Sequence, residues 1–377
     1  MTDTYTKSSK NKSFRISTKY IVLIIIFVLS VTIHITTRLS TKLSDFLNFG
    51  ISNIIRGTLA KITSVLPFSL GETLLIIVPL IMIILIISVI FNLFSEQVFS
   101  KISFKITTIA VALYALFALS LSPAYGTSTA DNLFNVNCKA LTKDELKEAA
   151  AILVQNINDL ADEVDYYYGS FSKMNHSLDE LSSKLVDAYD KLESKYSFIN
   201  NFGSRLKPIA LSEPMTYTHI SGVYSYYTGE SNINTNFPNY TIPFTSAHEM
   251  AHQRGFAREN EANFVAYLVC CESEDAYIRY SGFLNMFEYI TNSLYALSPK
   301  DYYDLFYSLD IKVRCEMAEY GKFFEKYRDS TASKVSGTIN DNYLKSQGIE
   351  EGEKSYGMVV DLAASYILEN TPKEVSD

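Results

Sequence analysis

Between Pro243 and Phe264 the chain reads PFTSAHEMAHQRGFARENEANF, a stretch holding two of its five histidines and three glutamates. His248 and His252 are four residues apart, and Glu249 follows the first. On a helix, positions i and i+4 share a face with Cβ atoms about 5–6 Å apart, so two imidazoles can converge on one cation. Zinc takes imidazole nitrogens at about 2.0–2.1 Å, and catalytic zinc sites combine three protein ligands with a water. Glu249, one step around the helix, stands where a general base for that water is needed. The pattern points to a hydrolytic metal centre with Zn2+ as cofactor and Glu249 as its catalytic residue.

Helix geometry narrows the choice of third ligand. An unbroken helix from His248 would carry Glu259 about 16 Å along the axis, beyond the reach of one ion. The chain has to turn back, and Gly255 is the residue able to take the left-handed conformation that ends a helix. A second helix then starts near Phe256–Arg258. On it Glu259 shares a face with Ala262 and Asn263, whereas Glu261 points away. Glu259 is therefore the expected ligand and Glu261 the reserve.

The elements that position these residues are legible in outline. Pro243 suits the first turn of the histidine helix, with Thr245 or Ser246 as its cap. Upstream, the Gly-, Pro-, Thr- and Tyr-rich run 203–242 reads as short strands and loops. From Leu141 to about Asn201 the apolar period is helical, with capping boxes at Thr142–Glu145 and Ser177–Glu180. Helices resume from about Phe244 to the end, with breaks near 297–300, 330–340 and 348–353. The expected fold is mainly α, with a small β segment before the histidine helix.

Three apolar runs precede that domain, from Tyr20, at 73–94 and at 106–126, each long enough to cross a bilayer. Pro79 inside the second is tolerable when neighbouring helices satisfy the freed carbonyl. A cleaved signal peptide fits the first run poorly, since no small-x-small pattern follows it. Lys7, Lys10, Lys12, Arg15 and Lys19 precede the first run, and Lys101 and Lys105 occupy the loop before the third. Residues 127–137 hold no Lys or Arg. The positive-inside rule thus places the tail 1–19 and the 95–105 loop in the cytoplasm. Residues 20–126 are expected to form the three-span region, and 127–377 the extracytoplasmic domain of a multi-pass membrane protein. Arg38, Lys42, Arg56 and Lys61, between the first two runs, weaken that contrast.

The formal net charge of −8 and the lack of a basic stripe argue against nucleic acid as a partner. Cys138, Cys270, Cys271 and Cys315 form no metal knuckle; a Cys138–Cys315 bridge is the one pairing considered, with free thiols preferred. Glu230 and His219, on the strand-like segment, are candidates for substrate contact or for orienting a ligand histidine. Tyr224, Tyr226, Tyr227 and Tyr267 are available as oxyanion donors. Arg254 and Arg258, flanking the glycine, are expected to pair with nearby acids. His34 and His176 read as structural.

The string ENEANFVAYL resembles the glutamate helix of gluzincin metallopeptidases, E-x-x-A-[DN]. That resemblance implies Glu259 as third zinc ligand and Asn263 as its support, although gluzincins place this helix much further from HExxH. PFSLGE at 67–72, TGESNIN at 228–234 and HEMAHQRGFARENEANF together resemble the bacterial membrane family catalogued as domain of unknown function 3810, itself read as a zinc metallopeptidase. The expected function is a membrane-anchored zinc peptidase that hydrolyses a peptide or protein near the membrane. The alternative is a non-catalytic sensor or assembly protein with a structural zinc, which has no need of Glu249. A protease cutting within the bilayer is disfavoured, because residues 242–272 are too polar.

Overall fold

Uncharged runs rich in Ile, Leu and Val dictate the N-terminal third. The computed structural model describes residues 17–91, 95–167, 171–352 and 358–371; the basic tail with Lys7, Lys10, Lys12 and Arg15, and residues 92–94 of the second apolar run, lie outside them. Helix α1 (Thr18–Leu39) is followed by α2 (Thr41–Phe46), a π-helical turn at Leu47–Ser52, and α3 (Asn53–Thr63). Next come α4 (Leu70–Ile90), α5 (Glu96–Ser120) and a 3-10 turn at Ser122–Gly126. Helices α1, α4 and the α5 stretch to Gly126 are each long and apolar enough to span a membrane. Helices α1 and α5 pack together, with Tyr20 on Phe104 at 5.2 Å and His34 on Phe117 at 5.4 Å between ring centres. Helix α4 stands apart: no residue of its apolar window is buried. Lys101 and Lys105, expected in a loop, lie on α5, because Ser95 caps a helix that already starts at Glu96.

The remaining elements are α6 (Ala130–Phe134), α7 (Lys143–Ala161), α8 (Leu178–Lys195), β1 (Lys207–Pro208), α9 (Ser212–Thr216), β2 (Gly222–Ser225) and β3 (Glu230–Ile233). After them run α10 (Thr241–Gln253), α11 (Glu259–Glu272), α12 (Ala276–Leu297), α13 (Pro299–Ser308), α14 (Ile311–Glu325), α15 (Thr331–Ser346) and α16 (Val359–Asn370). Both capping boxes form as read, at the starts of α7 and α8. The protein is mainly helical, with one three-stranded sheet in the order β1-β3-β2, where β1 is parallel and β2 antiparallel to β3. Two boundaries differ from expectation. Helix α10 starts at Thr241, which puts Pro243 at its third position and Thr245 and Ser246 inside it rather than at the cap. The break expected at 330–340 falls earlier, at Ser330, whose hydroxyl caps α15.

The core lies between α7, α8, α10, α11, α12 and α16, where Leu153, Ile157, Leu181, Leu185, Phe264, Val265, Leu284 and Phe287 are fully buried. Helix α11 is buried nearly all round, from Glu259 to Cys270, as a central helix should be. All four cysteines are free, with Cys138 and Cys315 exposed, so the bridge considered between them is not formed.

The segment between the first two apolar helices does more than connect them. Its π-turn adds residues to the helical ladder and buries Asn48 and Ser52. Asn48 Nδ2 donates to the Gly255 carbonyl at 3.0 Å. Arg56 donates to Asn48 Oδ1 at 3.0 Å, the Asn48 carbonyl at 2.8 Å, the Ser120 carbonyl at 2.6 Å and the Arg254 carbonyl at 3.4 Å. Its guanidinium is fully buried, and burial pushes it down to about 10, still charged at neutral pH. Further ties repeat the theme. Glu230 Oε2 accepts from the Gly71 amide at 2.7 Å, Glu72 accepts from the Ala210 and Leu211 amides at 2.8 Å, and Lys207 donates to the Thr63 carbonyl at 2.8 Å.

Losing the Arg56 head group would strand at least three buried carbonyls, and hydrogen bonds from a charged donor are the stronger kind. Arg56→Met is therefore expected to lower stability by about 3 kcal/mol or more and to reduce metal occupancy as well. Thermal unfolding in detergent, with metal analysis of the folded fraction, checks this; unchanged stability and occupancy would refute the clasp.

Candidate metal centre

Helix α10 ends as the glycine argument requires. Gly255 has φ of +99°. The Phe256 amide donates to the Ala251 carbonyl at 3.1 Å and the Gly255 amide to the His252 carbonyl at 3.0 Å, the paired bonds of a Schellman turn. A side chain at 255 is excluded twice, by its backbone angle and because a Cβ would lie 2.4 Å from Arg56 Nη2. The chain then reverses, and α11 starts at Glu259.

This reversal brings His248, His252 and Glu259 together, with one donor atom from each within 4.8 Å of the others. Glu259 Oε2 lies 3.2 Å from His248 Nε2 and 3.3 Å from His252 Nε2. Bonds of 2.0–2.1 Å around a tetrahedral zinc imply ligand separations of about 3.3 Å, so these edges fit. The turn also supplies outer support: His252 Nδ1 donates to the Phe256 carbonyl at 2.7 Å, which leaves the Nε2 lone pair for a metal. His248 Nδ1 is buried without a hydrogen-bond partner among the described residues. A buried carboxylate oxygen facing two imidazole nitrogens fits a cation.

The electrostatics are those of a site short of positive charge. Burial pulls His252 down, but Glu259 and Glu249 outweigh it and hold the imidazole at about 9. Burial would raise Glu259, yet the two histidines keep it well below the usual carboxylate range. Glu249 is buried, and burial raises its pKa against the pull of His248 and His252. It sits against β2. A Cβ on Gly222 would lie 2.7 Å from Glu249 Cγ, so only glycine lets the strand come this close. The backbone N–H of Tyr224 faces the same carboxylate.

Glu261 goes elsewhere. Its Oε1 accepts from the Ala130 amide at 3.0 Å and pairs with Arg258 at 2.7 Å. Arg254 makes no ion pair among the described residues, contrary to expectation. It lies over the Tyr189 ring at 4.0 Å and donates to Asn201 Oδ1 at 2.5 Å. The full-length protein should accordingly bind one zinc, which Glu259→Ala abolishes and Glu261→Ala retains, as read by metal analysis after dialysis. Because His252 holds a proton at pH 7 that zinc has to displace, affinity should strengthen as pH rises toward 9. Retention by Glu259→Ala with loss in Glu261→Ala would reverse the assignment.

The cluster opens into a cleft of about 1770 Å3. One wall is β2 with the preceding His219; the opposite wall is α12, and α15 closes the outer side. His219 adopts a left-handed φ of +61° and donates Nε2 to the Tyr327 carbonyl at 2.9 Å, so it lines the cleft but orients neither ligand histidine. Glu230 does not line the cleft; its carboxylate caps the first turn of α4 through Leu70 and Gly71. Asn263 is beside the ligands and donates to Tyr289 Oη at 3.2 Å. Of the tyrosines considered, Tyr224 reaches the cleft, whereas Tyr267 is buried beside Cys271. Sequence reasoning missed Tyr289 and Glu288, which α12 places in the cleft wall; nothing in the sequence around them signals a site. It also missed Gly222, Asn48 and Arg56.

Glu288 accepts from Tyr240 Oη at 3.1 Å, and burial pushes it up to about 7. A carboxyl with a folded pKa above its unfolded value stabilises the fold at low pH and loses that contribution as pH rises from about 4.5 to 7. Glu288→Gln is expected to raise the melting temperature by a few degrees at pH 8 and leave it unchanged at pH 4.5. Scanning calorimetry at the two pH values checks the sign; equal shifts would remove ionisation as the cause.

Three apolar helices joined to a helical domain with a His–His–Glu cluster define the general class, a protein with membrane-type helices and a candidate metal centre. The chain belongs to the family described as protein of unknown function DUF3810, whose model matches residues 48–364. No curated protein and no solved structure matches it.

Proposed function

We propose that the protein is a membrane-anchored zinc metallopeptidase of the zincin kind, with its helical domain on the extracytoplasmic side. One observation carries the reading: His248, His252 and Glu259 converge within 4.8 Å, with Glu259 Oε2 at 3.2 and 3.3 Å from the two imidazoles, while the Glu249 carboxylate packs against an edge strand. A structural site has no use for a buried acid held beside it. A zinc ion bound by the three residues supplies a Lewis acid for a scissile carbonyl and acidifies a water.

The protein's own groups account for the rest. Glu249, with its pKa raised by burial, takes the proton of the attacking water and passes it to the leaving amine. Among the described residues strand β2 pairs with β3 on one side only, so its other edge can add an extended substrate through backbone hydrogen bonds. Tyr289 has its pKa pushed to about 12 by burial; it stays protonated and can donate to a developing oxyanion. The three-span arrangement draws support from the segment 40–69, which hydrogen-bonds to the helical domain, as the two crossings between them require. Arg56 there is a buried structural residue, which removes one of the charges that blurred the positive-inside signal.

Glu249→Gln tests the reading. The variant should bind zinc as the wild type does and lose at least ~100-fold in peptide hydrolysis. Assays of both proteins, loaded with zinc, against a peptide library decide it. Equal zinc with no cleavage by either would sink the enzyme reading.

A further inference from the structure

The cleft has an unusual floor. Leu121 and Tyr125, the first residues beyond α5, line the same cavity as His248, Glu249 and Glu259. Leu121 packs with Ala124 and with Ala257 of the metal-site turn, and Phe117, Tyr224 and Tyr226 surround that contact. The Tyr226 ring meets Phe117, inside α5, at 5.6 Å. On the other side, Tyr227 Oη donates to the Gly71 carbonyl at 3.4 Å, and a Cβ on Gly71 would lie 3.0 Å from Ser225 Oγ. The end of β2 thus sits between the first turn of α4 and the last turns of α5.

Strand β2 consequently runs from the catalytic acid down to the level where both apolar helices emerge. Gly222 touches Glu249 and Ser225 touches α4; three residues of extended chain separate them, about 10 Å. Tyr125, Tyr224, Tyr226 and Tyr227 gather at this level, where aromatic side chains favour a membrane–water boundary. Between α4 and the α1–α5 pair the apolar window of α4 stays unburied, leaving room for lipid or for another apolar helix directly beneath the strand. A polypeptide held in the bilayer by its own anchor would meet the free edge of β2 at an effective concentration that no dissolved peptide reaches.

We propose that the substrate is a membrane-anchored polypeptide, cut on the extramembrane side within about three or four residues of its own anchor, the span that β2 covers at ~3.3 Å per residue. This rests on the peptidase reading and narrows it to a substrate class. The test uses the full-length, zinc-loaded protein in liposomes. A library of mixed-sequence segments is presented on a single-span anchor through a linker of about four residues, on the same anchor through about thirty, and as free peptides. Mass spectrometry reads the cut sites. A second arm places benzoylphenylalanine at Tyr125 in Glu249→Gln and reads photo-crosslinking without catalysis.

Anchored segments should be cleaved at least ~100-fold more efficiently than free ones, with cut sites clustered beside the anchor even when the linker is long. The crosslinker should capture anchored segments and not free ones. Free peptides cut as efficiently, or cut sites spread along the long linker, would overturn the substrate class and leave the peptidase reading intact. Capture of anchored segments without any cleavage would support the docking geometry and overturn the peptidase reading. Neither capture nor cleavage would overturn both.

Discussion

A single backbone reversal at Gly255 determines whether this chain has a site at all. The two histidines lie on one helix and the glutamate on the next; only a left-handed residue between them folds the second helix back onto the first. The turn is held by groups remote in sequence. Asn48 and Arg56 take the carbonyls of residues 254 and 255, and the Arg56 head group fills the space that any side chain at 255 would need. Backbone angle, close approach and buried hydrogen bonds select the same residue, and such agreement between levels makes a local structure unique.

The clasp also explains why the apolar helices and the helical domain cannot be treated as tether and payload. Arg56 bonds simultaneously to the end of α5, through Ser120, and to the metal-site turn, through Arg254. A buried guanidinium without an acidic partner is tolerable only where carbonyl oxygens surround it, and here they come from three separate parts of the chain. Lys207, Glu72 and Glu230 make similar exchanges between the sheet region and the helices below it. Each places a charged group at or beside the end of a helix, where opposite charge is favoured. The orientation of β2 against α4 follows from these caps.

How much of this was legible in the sequence depends on the range of the interaction. The i, i+4 histidines, the glycine break and the choice of Glu259 over Glu261 follow from helix geometry, which a short string determines. The capping boxes and the three apolar helices are likewise local. What stayed hidden is long-range. Nothing near Arg56 shows that it reaches residue 254, and its charge reads as a topology signal. Glu230 looks like a site residue because it lies on the strand beside the site, but its carboxylate turns to helix α4 instead. Gly222 gives no hint of Glu249, since the contact depends on where β2 passes α10. Glu288 and Tyr289 enter the cleft because α12 crosses it, a consequence of core burial and not of any motif.

The same distinction bears on chemistry. The ligand set can be read from spacing because coordination needs only donor atoms on neighbouring turns. A general base needs an environment as well. Glu249 is raised by burial that α10, β2 and the cleft create together, and Gly222 is the residue that allows the strand near enough to exclude water from it. Removing a member of the His–His–Glu cluster and perturbing the strand are therefore physically different insults. The first breaks the charge compensation between His252 and Glu259. The second keeps the donors in place but restores solvent around the acid, lowering its pKa toward that of an ordinary carboxylate. On the proposed reading, a protein with an intact His–His–Glu cluster and a displaced β2 would still offer the metal its donors and would have lost the proton carrier matched to it.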